Sequence, residues 1–169
     1  MKPNGLAFTL IALGLAITTR PMHGQTISYF RQFTTPGMDR AAGVAADASG
    51  IYVIGNRPSP QGGSAGVRKY DSRGNELWTR EFSVSALGNP ATDATGVYVL
   101  GVAGGGVNVL RKYSAEGNEL WTRQLDFSPH GGLAADSTGV YVAGGNYTSA
   151  SVRKYGPDGA ELWTSIAFQ

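Results

Sequence analysis

Apolar residues along the chain fall in short runs separated by glycine-containing turns, and this pattern repeats. Each repeat begins with small residues, as at 43–46, and continues through an Asp-x-x-Gly turn to a short apolar run, as at 51–54. Aspartate at the first turn position accepts a hydrogen bond from the backbone two residues on, and glycine at the fourth tolerates a positive φ. The pattern therefore predicts a β-hairpin in each repeat.

A second pair of strands is predicted by the motif that follows, Arg-Lys-Tyr, a glycine-containing turn and Glu-Leu-Trp-Thr. It occurs at residues 68–79, 111–122 and 153–164. The tryptophans are 43 and then 42 residues apart, and the Arg-Lys-Tyr triplets keep the same two intervals. Four short strands in a unit of about 40–45 residues are typical of a β-propeller blade.

The predicted fold is all-β, a partial β-propeller of three four-stranded antiparallel blades with one extra N-terminal strand. The extra strand is expected at residues 27–33, where Arg31-Gln32 aligns with Arg123-Gln124 and Tyr29 takes the tryptophan position. The repeat region is residues 25–169, and its blades are predicted at about residues 43–82, 89–125 and 132–168.

The first residues differ from the repeats. Lys2 is followed by an apolar run at residues 6–17 that only Thr9 and Gly14 interrupt. Such a run is too short to cross a bilayer core of about 30 Å, whereas a charge, a short apolar run and small residues in that order are typical of a secretory signal peptide. We therefore expect residues 1–24 to be a signal peptide, and the protein to be secreted, periplasmic or displayed at the cell surface.

Removal of this leader changes the charge balance. The chain has 14 basic and 12 acidic residues, and two of the basic ones, Lys2 and Arg20, lie in the leader. The remainder is formally neutral, so neither nucleic acid nor a membrane surface is an expected partner after the leader is removed. The chain has no cysteine, which excludes disulfides, thiol catalysis and cysteine-ligated zinc.

The repeat also resembles a known family. Asp-x-x-Gly-x-Tyr-Val-x-Gly followed by Lys-Tyr-x-x-x-Gly-x-x-Leu-Trp recurs three times and covers nearly all of residues 28–169. This pattern resembles the bacterial SBBP repeat of seven-bladed β-propellers. The resemblance implies a secreted or surface propeller, usually a non-catalytic portion of a larger protein. Blades of pyrroloquinoline-quinone dehydrogenases are similar in their Gly-x-x-x-Trp strand, so a quinoprotein-like propeller enzyme is the alternative.

The residues that recur with the blade period are candidates for binding or for packing. The aspartates could bind calcium, but turn formation explains them better. The aromatic residues could stack on a sugar or a quinone, but their periodicity favours packing between blades. The repeated Arg-Lys pairs could form an anion-binding ring, but alternation along a strand sends the two charges of each pair to opposite faces, so pairing with Asp or Glu is expected instead. These structural repeat positions are Asp47, Asp93, Asp136, Tyr52, Tyr98, Tyr141, Lys69, Lys112, Lys154, Trp78, Trp121 and Trp163.

Residues that break the repeat are few. His130 is the single histidine outside the leader, in a Pro-His-Gly-Gly sequence, and we interpret it as a lone surface residue. No elbow of the Gly-x-Ser-x-Gly type or spaced Ser/His/Asp set accompanies it. The sequence therefore predicts no catalytic, cofactor-binding or metal-binding residue and no cofactor, and the protein is expected not to be an enzyme.

The predicted number of blades indicates that the chain associates with other blades. A closed ring of this type needs roughly twice as many blades, so three blades leave two faces bare. If each bare face presents about 500 Å² of apolar surface, covering it contributes roughly 12 kcal/mol at ~25 cal/mol per Å². We therefore expect self-association or pairing with further propeller blades.

The predicted function is that of a secreted, non-enzymatic propeller repeat protein that serves as a structural or interaction scaffold. Its variable loops at residues 58–66, 103–107 and 146–150 are the expected contact surface for a protein or carbohydrate ligand. The chain could also be a fragment of a longer propeller, or a truncated gene product without an independent function.

Overall fold

The computed structural model describes residues 40–57, 63–83, 85–145 and 148–168. The expected signal peptide at residues 1–24 and the extra strand at residues 27–33 lie outside them. Over the described ranges, no helix is long and apolar enough to span a membrane.

The described residues form three antiparallel sheets of four strands, and in each sheet the strands lie in chain order. The all-β prediction with three antiparallel sheets is confirmed. Sheet I contains β1 (Arg40–Asp47), β2 (Gly50–Arg57), β3 (Ser64–Tyr70) and β4 (Glu76–Ser83); sheet II contains β5 (Ser85–Asp93), β6 (Gly96–Val102), β7 (Asn108–Ser114) and β8 (Glu119–Gln124); sheet III contains β9 (Ser128–Asp136), β10 (Gly139–Gly145), β11 (Ala150–Tyr155) and β12 (Glu161–Phe168).

The first hairpin of each sheet closes through its aspartate. In sheet II the backbone N–H of Thr95 donates to Asp93 Oδ1 at 2.8 Å, and Gly96 follows with φ 150°. A Cβ at Gly96 would collide with the carbonyl oxygen of Tyr113 on β7. Glycine is therefore required there both by its backbone conformation and by the close approach of the third strand.

The first strand of each sheet lies beside the first strand of the next sheet, since β5 contacts both β1 and β9. The first strands begin at Arg40, Ser85 and Ser128, three or four residues before the predicted starts of the blades at residues 43, 89 and 132. The pairing register is irregular near the start of each first hairpin, so the residues before the irregularity do not follow the repeat pattern from which the blade starts were predicted.

The sheets pack face to face through two apolar clusters. The first joins sheets I and II and includes Tyr52, Ile54, Val67, Val97 and Tyr113. The second joins sheets II and III and includes Tyr98, Leu100, Leu110, Val140 and Val142.

Sheet II is therefore covered on both faces. Six consecutive residues of β6, from Gly96 to Gly101, are buried. An unbroken apolar run such as residues 97–100 predicts a strand that is covered on both faces, and β6 agrees with this. The run at residues 51–54 predicts the same for β2, but that prediction is wrong: Tyr52 and Ile54 are buried, whereas Ile51 and Val53 are half-buried. Among the described strands, only one face of sheet I packs against another sheet.

Candidate functional site

The repeated aspartate, tyrosine and lysine meet in a closed network in sheet II. Asp93 ends β5, while Tyr98 on β6 and Lys112 on β7 are direct register partners. The Tyr98 hydroxyl donates to Asp93 Oδ2 at 2.6 Å, and Lys112 Nζ donates to the Tyr98 oxygen at 2.7 Å and to Asp93 Oδ2 at 3.2 Å. The lysine and aspartate side chains are only 2% and 5% exposed. The network is thus a buried ion pair bridged by a phenol.

The other two sheets use the same residues differently. In sheet I, Lys69 Nζ donates to Ser49 Oγ at 3.0 Å and to the Ala115 carbonyl of sheet II at 2.8 Å. In sheet III, Lys154 Nζ donates to Thr138 Oγ1 at 2.6 Å. The expected pairing of lysine with an acid is therefore observed as a salt bridge at Lys112, whereas Lys69 and Lys154 bind hydroxyl or carbonyl oxygens.

The arginines beside these lysines pair with the glutamate that opens each fourth strand. Arg111 Nη1 lies 3.2 Å from Glu119 Oε2, and Arg68 Nε lies 3.4 Å from Glu76 Oε2. In sheet III, Arg153 Nη1 lies 3.3 Å from Glu161 Oε2. The basic triplets therefore hold the third and fourth strands together rather than forming one anion-binding surface.

The surroundings of Asp93 and Tyr98 determine whether each side chain is protonated. Burial raises the pKa of Asp93, but hydrogen bonds from Thr95 and Tyr98 and the charge of Lys112 outweigh it, so the pKa is lowered. Burial, followed by the hydrogen bond to Asp93, raises the pKa of Tyr98. Asp93 thus stays ionised and Tyr98 protonated at neutral pH. Lys112 is sealed from solvent, and the three polar groups are bonded to one another.

Asp136 provides a test of this electrostatic account. Hydrogen bonds from the Thr138 side chain, the Thr138 backbone and Tyr141 lower its pKa from 3.8 to about 2. A carboxylate whose pKa is lower in the folded state stabilises fully above its unfolded pKa and stops stabilising as the pH falls through its folded pKa. We expect Asp136→Asn to lose less stability than wild type between about pH 5 and about pH 2, as measured by urea denaturation. An equal loss in both proteins would contradict the assignment.

Trp78 and Trp121 each join their own sheet to the next one. The Trp78 indole N–H donates to the Ala115 carbonyl at 2.9 Å, and a Cβ at Gly117 would lie 2.7 Å from the Trp78 ring. The Trp121 indole N–H donates to the Pro157 carbonyl at 2.8 Å. The structure thus places these two tryptophans in inter-sheet packing.

Three irregular strand segments line a cavity of about 400 Å³ at one end of the sheets. The pairing register shifts between Ala41 and Gly43 in β1, between Leu87 and Ala91 in β5, and opposite Ala143 and Gly144 in β9. The lining residues are Ala42, Leu87, Gly88, Asn89, Pro129 and His130. β-Bulges often occur beside binding sites because they redirect side chains.

Two side chains in the cavity lining can form hydrogen bonds. Asn89 supplies an amide and His130 an imidazole, beside apolar Leu87 and Pro129. Over the part of the chain that the structure describes, no group of three or more His, Asp or Glu side chains could hold a metal ion. His130 is exposed, as predicted, but it also lines this cavity, which the sequence did not reveal.

The ends of β2, β6 and β10, which precede the variable loops in the sequence, lie at the same end of the sheets as the cavity. The bulge of β1 follows Ala41, which pairs with Gly55 near the end of β2, and the bulge of β9 follows Pro129, which pairs with Gly144 near the end of β10. The loops follow β2, β6 and β10, although residues 58–62 and 146–147 lie outside the described ranges. In the middle loop, a Cβ at Gly105 would meet no atom within 4 Å, so this loop is an open tip.

No protein-family model matches the chain, and no curated protein sequence matches it significantly.

Proposed function

We propose that this chain is part of a β-propeller and acts as a non-enzymatic interaction scaffold. Three observations support the propeller arrangement: four antiparallel strands per sheet, first strands that lie side by side, and sheets that pack face to face. The SBBP-like repeat pattern and the signal-like leader favour a secreted or cell-surface location.

The observation that carries the proposed function is the cavity where the irregular segments of all three sheets meet. The repeated Asp, Tyr, Lys and Trp residues are largely engaged in turns and packing, as Asp93 and Trp78 illustrate. The residues that differ between repeats, such as Asn89 and His130, line the cavity. Binding on a repeated scaffold therefore falls to the positions that break the repeat.

The expected ligand is a protein segment or a carbohydrate. Both classes present hydrogen-bonding groups beside apolar surface, and the cavity pairs an amide and an imidazole with Leu87 and Pro129. The formal charge neutrality of residues 25–169 gives no electrostatic preference for a strongly acidic or basic ligand.

Ligand binding can be tested with peptide and glycan arrays, followed by titration of the best ligand by calorimetry. We expect Asn89→Ala and His130→Ala each to weaken binding about 3- to 10-fold, the effect of losing one net hydrogen bond. Arg73→Ala is the matched control, because Arg73 is exposed in the β3–β4 turn at the opposite end of sheet I.

Unchanged affinity in both cavity variants would exclude the cavity as the binding site. Incubation with pyrroloquinoline quinone and calcium, followed by gel filtration and absorbance, tests the enzyme alternative. Co-elution of the quinone with the protein would favour a quinoprotein over a scaffold.

A further inference from the structure

Two rows of side chains cross the face that each sheet turns toward the next sheet. The first, the aromatic row, is a line of register partners that in sheet II contains Tyr98, Lys112 and Trp121. The second, the contact row, lies beside it and in sheet II contains Leu100, Leu110 and Arg123. Both leucines are fully buried against sheet III, and Arg123 Nε donates to the Gly159 carbonyl at 2.7 Å. The contact row therefore makes a large part of the contact with the next sheet.

The same two rows cross the outer face of sheet III, which no described sheet covers. Its aromatic row keeps the residue types of the other sheets, namely Tyr141, Lys154 and Trp163. Its contact row is shortened to Ala143, Val152 and Ser165. In sheet I the contact row is again large, with Ile54, Val67 and Arg80. The outer face of sheet III therefore differs from the two covered faces mainly in its contact row.

The shortened contact row makes this face less suitable for packing against another sheet. Ala143 and Ser165 are exposed, whereas Leu100 and Leu110 are fully buried in the corresponding row of sheet II. A further sheet would meet small side chains here and leave a void above them, and such voids destabilise a packed contact. Ser165 also cannot provide the arginine hydrogen bond to a following turn. The face is therefore better suited to a ligand smaller than a sheet.

The polar groups of this aromatic row have hydrogen-bonding capacity that those of sheet II have used. In sheet II, Asp93 Oδ2 accepts hydrogen bonds from both the tyrosine and the lysine of the row. Among the described residues of sheet III, Asp136 Oδ2 accepts one from the Tyr141 hydroxyl at 2.9 Å, and Lys154 Nζ donates to Thr138 Oγ1 at 2.6 Å. Asp136 and Thr138 are exposed and Lys154 is half-buried. An acceptor and a donor therefore remain beside the aromatic rings.

Trp163 adds a flat apolar surface to these polar groups. Its side chain is 43% exposed, and its ring lies 6.0 Å from the Tyr141 ring. The indole N–H has no hydrogen-bond partner in the part of the chain that the structure describes, whereas the N–H groups of Trp78 and Trp121 bind turn carbonyls. An exposed ring, a free donor, a carboxylate and an ammonium group are thus close together on one face.

We propose that the outer face of sheet III binds an uncharged carbohydrate. One face of a sugar ring is apolar and can stack on the exposed Trp163 ring, above the small side chains of the contact row. Sugar hydroxyl groups both donate and accept hydrogen bonds, so they match the carboxylate of Asp136 and the ammonium of Lys154. The two charges balance, which favours a neutral ligand over an acidic or a basic one.

The test is calorimetric titration of the full chain with cello-, chito- and manno-oligosaccharides. Wild type is expected to bind at least one of them. Trp163→Ala should weaken that binding at least about 10-fold, the effect of losing a central aromatic contact. Trp163→Tyr keeps a flat ring and should retain most of the affinity. Lys154→Met should weaken binding about 3- to 10-fold, the effect of losing one net hydrogen bond.

Two further variants separate carbohydrate binding from packing against a sheet. Leu162→Ala is the matched control, because Leu162 is exposed next to Trp163 but belongs to neither row, and it should bind like wild type. Ala143→Leu restores the residue type found at Leu100 in sheet II. It should weaken carbohydrate binding at least about 5-fold, because the larger side chain fills the space above the contact row. On a face that packs against another sheet, the same substitution would instead strengthen association, as measured by sedimentation velocity.

Absence of binding to all three oligosaccharide classes, or an unchanged affinity in Trp163→Ala, would overturn the proposal. So would self-association of wild type that Ala143→Leu strengthens, because the face then packs against a second copy. The site shares no residue with the cavity lining, so Asn89→Ala and His130→Ala should leave this binding unchanged. Failure of this proposal is therefore distinguishable from failure of the proposed function.

Discussion

Replacing Asp93 with alanine is expected to lower the free energy of unfolding by about 3–5 kcal/mol, because it breaks a buried ion pair and leaves the Lys112 charge buried without its counter-charge. The Lys112 side chain is only 2% exposed in the intact protein, and after the substitution the Tyr98 hydroxyl would be its one remaining hydrogen-bond partner among those described. The turn at Thr95 also loses its acceptor. Urea denaturation at neutral pH measures the change.

Asp136→Ala is the matched control for this experiment. Asp136 accepts hydrogen bonds from Thr138 and Tyr141, as Asp93 does from Thr95 and Tyr98. Its lysine counterpart, Lys154, is half-buried and binds the Thr138 hydroxyl. Both substitutions therefore remove the turn contacts, but only Asp93→Ala leaves a buried charge unpaired, so Asp136→Ala should cost much less.

A second variant separates the charge from the packing. Asp93→Ala combined with Lys112→Met removes both charges of the pair, and it should recover part of the stability that Asp93→Ala loses. Equal destabilisation by Asp93→Ala and Asp136→Ala would show that turn formation, rather than the buried pair, accounts for the effect of Asp93.

The turns and strands could be predicted from the sequence because their causes are local. An Asp-x-x-Gly sequence forms the same hairpin whatever packs around it, as Asp47, Asp93 and Asp136 show when each accepts the N–H two residues on. The nearly constant spacing of the tryptophans then indicates that the unit is repeated in space. Together these signals were sufficient for the all-β prediction with three antiparallel sheets.

Burial of the repeated residues could not be predicted, because it depends on neighbours. Identical Lys-Tyr dipeptides place Lys112 in a sealed ion pair and leave Lys154 half-buried. Sheet II has a sheet on either side, whereas only one described sheet packs on sheet III. Position in the stack, which no single repeat encodes, determines the difference.

The cavity could not be predicted for a related reason. Ala42, Asn89 and His130 are more than 40 residues apart in sequence and line one cavity only because β1, β5 and β9 lie side by side. A signal was nevertheless present: the sequence before each Asp-x-x-Gly hairpin differs between repeats, with Asn-Pro in the second and Pro-His in the third. Differences between otherwise similar repeats are therefore the sequence signal for the positions that line this cavity.

The second large effect is expected at Trp78. Trp78→Ala should lower the free energy of unfolding by about 3–5 kcal/mol, the usual cost of removing a large aromatic side chain from packed surroundings. The indole ring lies 5.9 Å from the Tyr52 ring and 6.3 Å from the Tyr113 ring, and its N–H is bound to the Ala115 carbonyl. Its loss would remove apolar contact both within sheet I and with sheet II.

Trp163→Ala separates these two contributions. Trp163 keeps the contact within its own sheet, 6.0 Å from the Tyr141 ring, but it is 43% exposed. At a concentration where the chain is monomeric, the loss at Trp163 therefore measures the contribution from one sheet, and the excess loss at Trp78 measures the contact between sheets. If both variants lose the same stability by urea denaturation, the tryptophans stabilise single sheets, and the contact with the next glycine turn contributes little to the fold.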